Sequence, residues 1–242
     1  MGYLYETHTH TREASACARC SAVESVHAHK EYGYTGMVLT NHFYYGNTSV
    51  DRKLPWEEWV HAYCVPYHMA KAEGDKIGLQ VFFGWEAGYQ GTEFLVYGLS
   101  EEWLLLHPEI RDCTIEEQYR LVHQGGGIII HPHPFREEDY IPQIRLFPKW
   151  IDGVEGYNAS HCSKKSHSHV NPEFDVKARA YAEKYDFPMT AGSDTHRAEL
   201  LGGGMVFSRR LTDIHDFCNA VMNRECIAFL DGTEEDFKGA KE

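Results

Sequence analysis

Short apolar strands alternate with helices along almost the whole of this 242-residue chain, and no other feature constrains its fold as strongly. Runs of β-branched and aromatic residues predict strands at 2–7, 35–40, 79–83, 94–97, 128–130, 154–157, 187–191 and 226–230. Helices are predicted at 22–32, 56–73, 114–124, 172–185 and 213–223. Such alternation favours a parallel sheet with helices outside it, either open or closed into a barrel. No Pro/Gly-rich linker interrupts it, so we expect a single domain over 1–242.

Several predicted helix boundaries carry local signals. Ser21 with Glu24 and Thr114 with Glu117 have the capping-box spacing, in which two side chains and two backbone amides bond reciprocally. Pro66 lies inside the 56–73 segment, and proline lacks the amide N–H that a helix interior needs. We therefore expect a kink or a break in the second helix.

Charge and composition exclude several classes of protein. With 36 acidic against 23 basic residues the net charge is −13, so we expect no nucleic-acid partner. The chain has no apolar run of about 18 residues and no basic-then-apolar start, so neither a membrane partner nor a signal peptide is expected. Seven scattered cysteines favour reduced thiols in a cytoplasmic protein. Cys17 and Cys20 form a C-x-x-C, but no second pair matches it as a zinc ribbon would require.

Metal-type ligands follow five of the predicted strands, always at the carboxyl end. In a barrel of parallel strands these ends meet at one mouth, where the chemistry of such folds takes place. Independent surface histidines would not be distributed in this way among the sixteen that the chain contains. The residues concerned are His8, His10, Asn41, His42, Glu86, His131, His133, Ser193, Asp194 and His196.

Spacing supports the same conclusion. Residues i and i+2 of a strand point to one face. His27 and His29 have that spacing inside a predicted helix, where they lie about 200° apart, so we expect surface residues that share no site. The strand-end pairs with the spacing are His8/His10, His131/His133 and Asp194/His196.

A convergent group of imidazoles and carboxylates needs a source of positive charge. Buried charges are costly unless they are paired or bound to a metal. Divalent ions would supply that charge, and a ligand set of histidines and carboxylates without thiolate suits Zn²⁺, Mn²⁺ or Fe. We therefore predict a metal centre of two or three such ions.

The ordered motifs resemble those of the PHP family, named for polymerase and histidinol phosphatase domains. The family has an H-x-H, a T-D-H, a Glu, a His–Pro and an S-D-x-H, each after a strand. The resemblance runs from residue 3 to about 207 and implies a distorted (β/α)7 TIM-like barrel holding up to three metals at the carboxyl strand ends. The motifs here are His8-Thr9-His10, Thr40-Asn41-His42, Gly84-Trp85-Glu86, His133-Pro134-Phe135-Arg136 and Ser193-Asp194-Thr195-His196.

The resemblance also implies roles for the ligands. Glu86 would bridge the first and second metals, and a His–Pro histidine would join it at the second. His133 is preferred for that role because it precedes Pro-Phe-Arg, with His131 as the second choice. His42 and His196 would hold a third metal with a residue from the loop after His10. The first metal would be held by His8, His10, Glu86 and Asp194.

The sequence departs from the family pattern in ways that bear on the metals. Asn41 replaces the Asp of T-D-H and removes a supporting carboxylate. Many members have Asp or His five or six residues after the H-x-H, where this chain has Ser15 and Ala16, which leaves Glu13 as the nearest carboxylate. Members with a full second site have another His soon after the bridging Glu. The predicted strand 94–97 offers none, so an incomplete second site is expected.

These observations predict a metal-dependent phosphoesterase, similar to histidinol phosphatases, that hydrolyses a small phosphorylated substrate with a metal-activated water. Arg136 and Arg197 are expected to meet the phosphate charge. Asp194 would position a metal or act as a base. One alternative is a metal-dependent amidohydrolase, which also uses an H-x-H on its first strand and a late Asp. The other is a metal-bound regulatory module without turnover.

Overall fold

A single mixed sheet organises the computed structural model, which describes residues 2–233. Its nine strands are ordered β7-β6-β5-β4-β3-β2-β1-β8-β9. They are β1 (Tyr3–Thr9), β2 (Gly36–Leu39), β3 (Gln80–Tyr89), β4 (Thr92–Tyr97), β5 (Ile128–His131), β6 (Gly153–Asn158), β7 (Met189–Gly192), β8 (Gly203–Phe207) and β9 (Cys226–Asp231). The helices are α1 (Ala22–Tyr32), α2 (Trp56–Ile77), α3 (Glu101–Leu106), a 3₁₀ turn (Pro108–Arg111), α4 (Ile115–Gln124), α5 (Ala159–Cys162), α6 (Glu173–Tyr185) and α7 (Ile214–Met222).

The sheet curls until β7 meets β1, which makes a nearly closed barrel. Thr7 Oγ1 donates to the carbonyl of Ala191 at 2.9 Å, and the amide of His10 donates to the carbonyl of Thr195 at 2.9 Å. A parallel bridge joins Thr9 to Thr195 at the same junction. The predicted TIM-like α/β barrel is therefore confirmed.

Three strands depart from the predicted parallel arrangement. Strands β1–β3 and β5–β7 run parallel within their groups, whereas β4 is antiparallel to both of its neighbours. Gln90 and Gly91 connect β3 to β4 with φ of 51° and 84°, the two positive values of a tight hairpin turn. A two-residue connection can join only antiparallel strands. Strands β8 and β9 extend the sheet beyond β1, also antiparallel.

The helix signals in the sequence are largely realised. Capping boxes are present at Ser21 and Thr114, as their spacing predicts. The break that Pro66 could have caused does not occur, because α2 continues through it. Trp59 stacks on Trp56 at 5.5 Å and on Tyr63 at 4.9 Å along the buried side of the helix. Burying these large rings outweighs the roughly 3 kcal/mol that an internal proline costs.

Buried apolar side chains hold the helices to the sheet and the strands to each other. A first cluster packs α2 on β3 through Trp59, Tyr63 and Trp85. A second cluster joins residues of seven strands and stabilises the curl, among them Tyr5, Val38, Leu95, Ile130 and Met205. Among the helices that are described, none combines the length and hydropathy required to span a bilayer.

Candidate metal centre

Strand β1 brings His8 and His10 together. Both side chains are fully buried, and their ring centroids lie 5.1 Å apart. The buried Glu6 carboxylate accepts hydrogen bonds from the amides of Thr7 (2.9 Å) and His8 (3.0 Å), beside an irregularity in the β1–β2 register. The Nε2 atoms of both histidines lie within 3.5 Å of one oxygen of Asp194. The strand periodicity thus places the pair on one face, as predicted.

Glu86 is the central carboxylate of the cluster. It lies near the middle of the long strand β3 and is 1% exposed. One of its oxygens lies 3.1 Å from Nε2 of His8 and 3.3 Å from Nε2 of His133. The other oxygen lies 2.8 Å from Nδ1 of His42. Glu86 therefore contacts histidines delivered by three different strand ends.

Asp194 closes the cluster from the opposite side of the barrel seam. It follows β7 with a φ of 54°, a left-handed conformation that is uncommon outside glycine and concentrates at functional sites. Oδ1 faces Nε2 of His10 at 3.3 Å. At Gly192, an added Cβ would lie 2.7 Å from the Cβ of His8, so a glycine is required where β7 approaches β1.

Only one histidine of the H-P-H-P segment reaches the cluster. His133 has a φ of 31°, so the chain turns after β5 ends and the same-face rule no longer applies. His131 instead packs on Phe94, with ring centroids 5.2 Å apart, and burial lowers the pKa of His131 to about 3. The structure thus brings in His133, the preferred residue, and leaves the second choice, His131, in the apolar wall.

The loop after His10 contributes a different residue from the one expected. The Glu13 carboxylate accepts from the amide of Ala22 at 3.2 Å, at the start of α1, and does not join the cluster. The exposed amides and the helix dipole favour a carboxylate at this helix start, which explains why Glu13 lies there and not at the cluster. Cys17 of the same loop lies beside the cluster instead, with Sγ 3.2 Å from Nε2 of His42. Burial opposes ionisation of this thiol, but hydrogen bonds from His196 and His42 outweigh it and lower the pKa of Cys17 to about 6.

Glu93 is a second residue that the sequence analysis missed. Its two oxygens each lie 3.6 Å from a histidine nitrogen, Nδ1 of His42 and Nε2 of His133. Burial and the neighbouring Glu86 raise the pKa of Glu93 to about 7. The residue immediately precedes the predicted strand 94–97. The β3–β4 hairpin pairs it with Gly88, two residues from Glu86 along β3 and therefore on the same face of the sheet.

Buried polar groups behind the cluster orient its members. The Glu155 carboxylate lies 3.0 Å from Nδ1 of His8 and accepts from the amide of His133 at 3.1 Å. Such an outer carboxylate fixes the tautomer of a ligating histidine and leaves its other nitrogen free. Asn41 Oδ1 accepts from the amide of Thr11 (2.7 Å) and from Ser15 Oγ (2.8 Å). Asn41 therefore secures the loop that carries Cys17.

The two arginines singled out in the sequence occupy different environments. Arg136 is buried and donates through Nη2 to Asp194 Oδ2 at 2.7 Å and to Ser160 Oγ at 2.9 Å. Its Nε donates to Nε2 of His161 at 3.1 Å. Arg197 is exposed and lines the cavity described next. Arg136 is thus part of the cluster, and Arg197 lies beside it.

A cavity of 680 Å³ opens onto the cluster. Besides the cluster residues, it is lined by basic side chains that include Lys165, His167 and Arg197, and by tyrosines that include Tyr45 and Tyr89. This volume matches that of typical small-molecule sites. The cavity therefore joins an acidic, histidine-rich cluster to basic groups near solvent.

The helical H-x-H pair does not take part. His27 is exposed and lies 3.1 Å from Glu73, as expected for a surface residue. The same expectation was wrong for His29, which is fully buried and bonds through Nδ1 to the carbonyl of Ser25 at 2.7 Å. The helix turn places these two side chains on opposite sides of α1, so they share no site.

Neighbouring histidines of the cluster compete for protons. Burial opposes protonation of His8, but the carboxylates of Asp194, Glu155 and Glu86 raise its pKa well above the usual value. Burial and the adjacent His196 and His42 lower the pKa of His10 well below it. Two rings 5.1 Å apart therefore have opposite shifts, because the positive charge that the carboxylates attract cannot be shared by all the imidazoles.

The donor atoms fit divalent cations. Nε2 of His8, Nε2 of His10 and Oε2 of Glu86 are buried and make no hydrogen bond within the part of the chain described. Buried polar atoms are normally paired, so atoms that converge without pairing indicate a ligand. Four overlapping groups have ligand atoms within 4.8 Å of one another: His8/His10/Asp194, His8/Glu86/His133, His42/Glu86/Glu93 and His10/His42/His196.

Comparison with known sequences points to the same family. The family model described as PHP-associated matches residues 174–226, which include the strand and loop carrying Asp194. An uncharacterised protein of Methanocaldococcus jannaschii is 36% identical over 101 residues. That match covers 38% of this chain and 39% of the relative.

Solved structures share the fold at low identity. A two-domain protein of Bacteroides vulgatus containing a predicted PHP-like metal-dependent phosphoesterase aligns with a TM-score of 0.64 at 14% identity, over 93% of this chain and 64% of that one. A Bifidobacterium adolescentis protein, for which metal-dependent phosphoesterase activity has been suggested, aligns with a TM-score of 0.54 at 14% identity, over 91% of this chain and 96% of that one. An amidohydrolase of Chromobacterium violaceum, with sulfate bound and no metal, aligns with a TM-score of 0.52 at 12% identity, over 79% of this chain and 87% of that one. The fold is thus that of PHP-like phosphoesterases and amidohydrolases.

The sequence match and the shared fold are independent of the motif order from which the resemblance was first inferred. The five motifs converge on one mouth of this barrel, and the PHP-associated match falls on the segment that supplies the last of them. Together these findings confirm the resemblance to the PHP family that the motifs indicate.

Proposed function

We propose that this protein is a metal-dependent phosphoesterase that hydrolyses a small phosphorylated substrate at a centre of two or three divalent ions. The observation that carries the proposal is the convergence of buried, unpaired histidine and carboxylate atoms on a cavity whose exposed lining carries Lys165 and Arg197 beside Glu199. The histidine-rich cluster suits cations, and the two basic side chains suit an anionic substrate.

The geometry supports an allocation of ligands to three positions. Glu86 contacts His8, His42 and His133 and is the proposed bridge between positions one and two. Position one would use His8, His10, Glu86 and Asp194. Position two would use Glu86, His133 and Glu93, and Glu93 would then supply the ligand that the sequence lacked after its bridging glutamate. Position three would use His42 and His196.

Divalent ions bound there would lower the pKa of water towards neutrality and offset phosphate charge. The chain's own residues prepare the site. Arg136 holds Asp194 Oδ2 and thereby turns Oδ1 towards His8 and His10. Since its guanidinium already donates to three side chains, we assign Arg136 a positioning role.

The exposed cations are better placed to meet the substrate. Arg197 and Lys165 line the cavity with their charges near solvent, so an entering phosphate can reach them without breaking a buried network. His167 lines the same cavity and is also exposed. We propose that these side chains bind the anionic part of the substrate and that Asp194 acts by ligation.

An amidohydrolase activity is the second candidate, because the Chromobacterium violaceum amidohydrolase shares the fold. Arg197 and Lys165 favour the phosphoester, because a phosphate group is negatively charged and an amide group is neutral. We also propose that 1–242 forms one domain. The sheet supports this, because β1 lies between β2 and β8, which come from distant parts of the chain.

The test is a substrate panel on protein loaded separately with Mn²⁺, Zn²⁺ and Fe²⁺. We expect hydrolysis of phosphomonoesters above that of amides and lactones, loss of activity on chelation, and recovery on adding metal back. Glu86→Gln should lose metal and nearly all turnover together, whereas His27→Ala, on the exposed face of α1, should behave as wild type. Preference for amides would establish the second candidate. Metal-loaded protein inactive on the whole panel would indicate a regulatory module.

A further inference from the structure

We propose that Cys17 is a thiolate ligand at the third cation position, together with His42 and His196, so that this position selects zinc while the other two do not. The inference rests on the proposed metal centre and concerns a residue that neither the motifs nor the comparisons assign. It would make the centre chemically uneven, with one soft ligand among histidines and carboxylates.

The thiol is fixed in place by backbone contacts on both sides. Sγ of Cys17 lies 3.2 Å from Nε2 of His42. The amide of Ala16 donates to the carbonyl of Asn47 at 2.9 Å, and the amide of Arg19 donates to the carbonyl of His196 at 2.8 Å. Because the loop is hydrogen-bonded to the segment that carries His196, the thiol and that imidazole keep a fixed relative position.

The imidazoles around this position point to a cation independently of the cysteine. His10, His42 and His196 place ligand atoms within 4.8 Å of one another, and the ring of His10 lies 4.3 Å from each of the other two. His10 itself is assigned to position one, so His42 and His196 are the imidazoles available to this position. Imidazole nitrogens that converge in this way are typical ligands of zinc.

The nearby Cys20 does not share the role. It is buried and its thiol donates to the carbonyl of Ser21 at 3.5 Å. The C-x-x-C spacing is therefore not used as a chelating pair, and the proposed position contains one sulfur. Thiolate combined with imidazole suits Zn²⁺, whereas Mn²⁺ prefers carboxylate and water oxygen. Zinc should thus fill the Cys17 position even when manganese occupies positions one and two.

X-ray absorption at the zinc edge of the zinc-loaded 242-residue chain tests the assignment directly. We expect one sulfur at about 2.3 Å from a fraction of the bound zinc. Cys17→Ser should remove that sulfur signal and weaken zinc binding at one position by about tenfold or more, comparable with changes around metal ligands elsewhere. The matched control is Cys226→Ser, a half-buried thiol on the edge strand β9, which should retain the signal.

Alkylation of the wild-type protein with iodoacetamide gives a readout that does not depend on how a variant folds. Metal-free protein should be modified at Cys17, and saturating zinc should slow that modification by about tenfold or more, since little thiolate stays free. Zinc should leave the rate at Cys226 unchanged. Zinc-loaded protein with a purely nitrogen and oxygen signal and an unprotected Cys17 would overturn this inference and leave the phosphoesterase proposal intact. Protein that binds no metal would overturn both.

Discussion

The two H-x-H segments of this chain have the same spacing but place their side chains in different environments. On β1, His8 and His10 are both fully buried and approach the same oxygen of Asp194. On α1, His27 is exposed against Glu73 while His29 is buried against the carbonyl of Ser25. A strand repeats every two residues and a helix every 3.6, so equal spacing gives one face in the first case and two faces in the second. A histidine pair therefore indicates a metal site only together with its secondary structure.

A third pair shows how far the strand rule extends. His131 ends β5, and His133 lies beyond it with a positive φ. Their side chains separate, His131 onto Phe94 and His133 onto Glu86. The rule fails once the chain leaves the extended conformation. Substitutions within the three pairs distinguish metal ligands from packing and surface residues.

Replacing both His8 and His10 with alanine should have the largest effect. It removes two ligand atoms of the first position, so bound metal should fall and turnover should drop by more than about 100-fold, above the loss seen when only supporting groups are changed. Stability should also decline, because metal present at 100 times its Kd contributes about 2.7 kcal/mol. Elemental analysis, rates and chemical unfolding with and without chelator measure the three effects. Unchanged metal content would show that the strand pair is structural.

The third pair should split into a ligand and a packing residue. His133→Ala should lose metal from the second position and lower turnover strongly, because its Nε2 faces both Glu86 and Glu93. His131→Phe should keep the metal stoichiometry and change the free energy of unfolding by less than about 1.5 kcal/mol, since a ring of similar size packs on Phe94. Loss of metal in His131→Phe with retention in His133→Ala would reverse the assignment.

His29→Ala should reduce stability and spare the metals. The substitution removes a fully buried ring that packs on Tyr34 at 4.9 Å, and the space left behind should lower the free energy of unfolding by roughly 1–3 kcal/mol. Denaturant unfolding of the metal-free protein measures this change without interference from ligation. Metal stoichiometry should equal that of wild type, and a shortfall would mean that α1 contributes to the centre.

His27→Ala should have the smallest effect of the series. The side chain is exposed and its contact with Glu73 is a surface ion pair, so the free energy of unfolding should change by less than about 0.5 kcal/mol. Metal content and rate should stay within about twofold of wild type. A large loss in any of these quantities would show that equal spacing, and not secondary structure, decides the outcome.

Much of the candidate site could be predicted because its residues follow strands directly. His8, His10, His42 and Asp194 stand at or near carboxyl strand ends, and Glu86 follows the part of β3 that pairs in parallel with β2. The curl of the sheet brings these positions together. Glu93 and Cys17 were missed for a common reason. Neither follows a predicted strand, and each is placed by a contact with residues distant in sequence, the first by the β3–β4 hairpin and the second by the ties to Asn47 and His196.

Local signals in the sequence determined the capping boxes, most of the strands and the strand-end ligands, because each depends on residues a few positions apart. The tertiary structure decided the rest. It kept α2 continuous through Pro66, buried His29, reversed β4, and chose His133 over His131. In each case packing or backbone conformation outweighed the local preference. Energies from buried surface and close approach exceed those of individual residue propensities, and they exist only once distant segments meet.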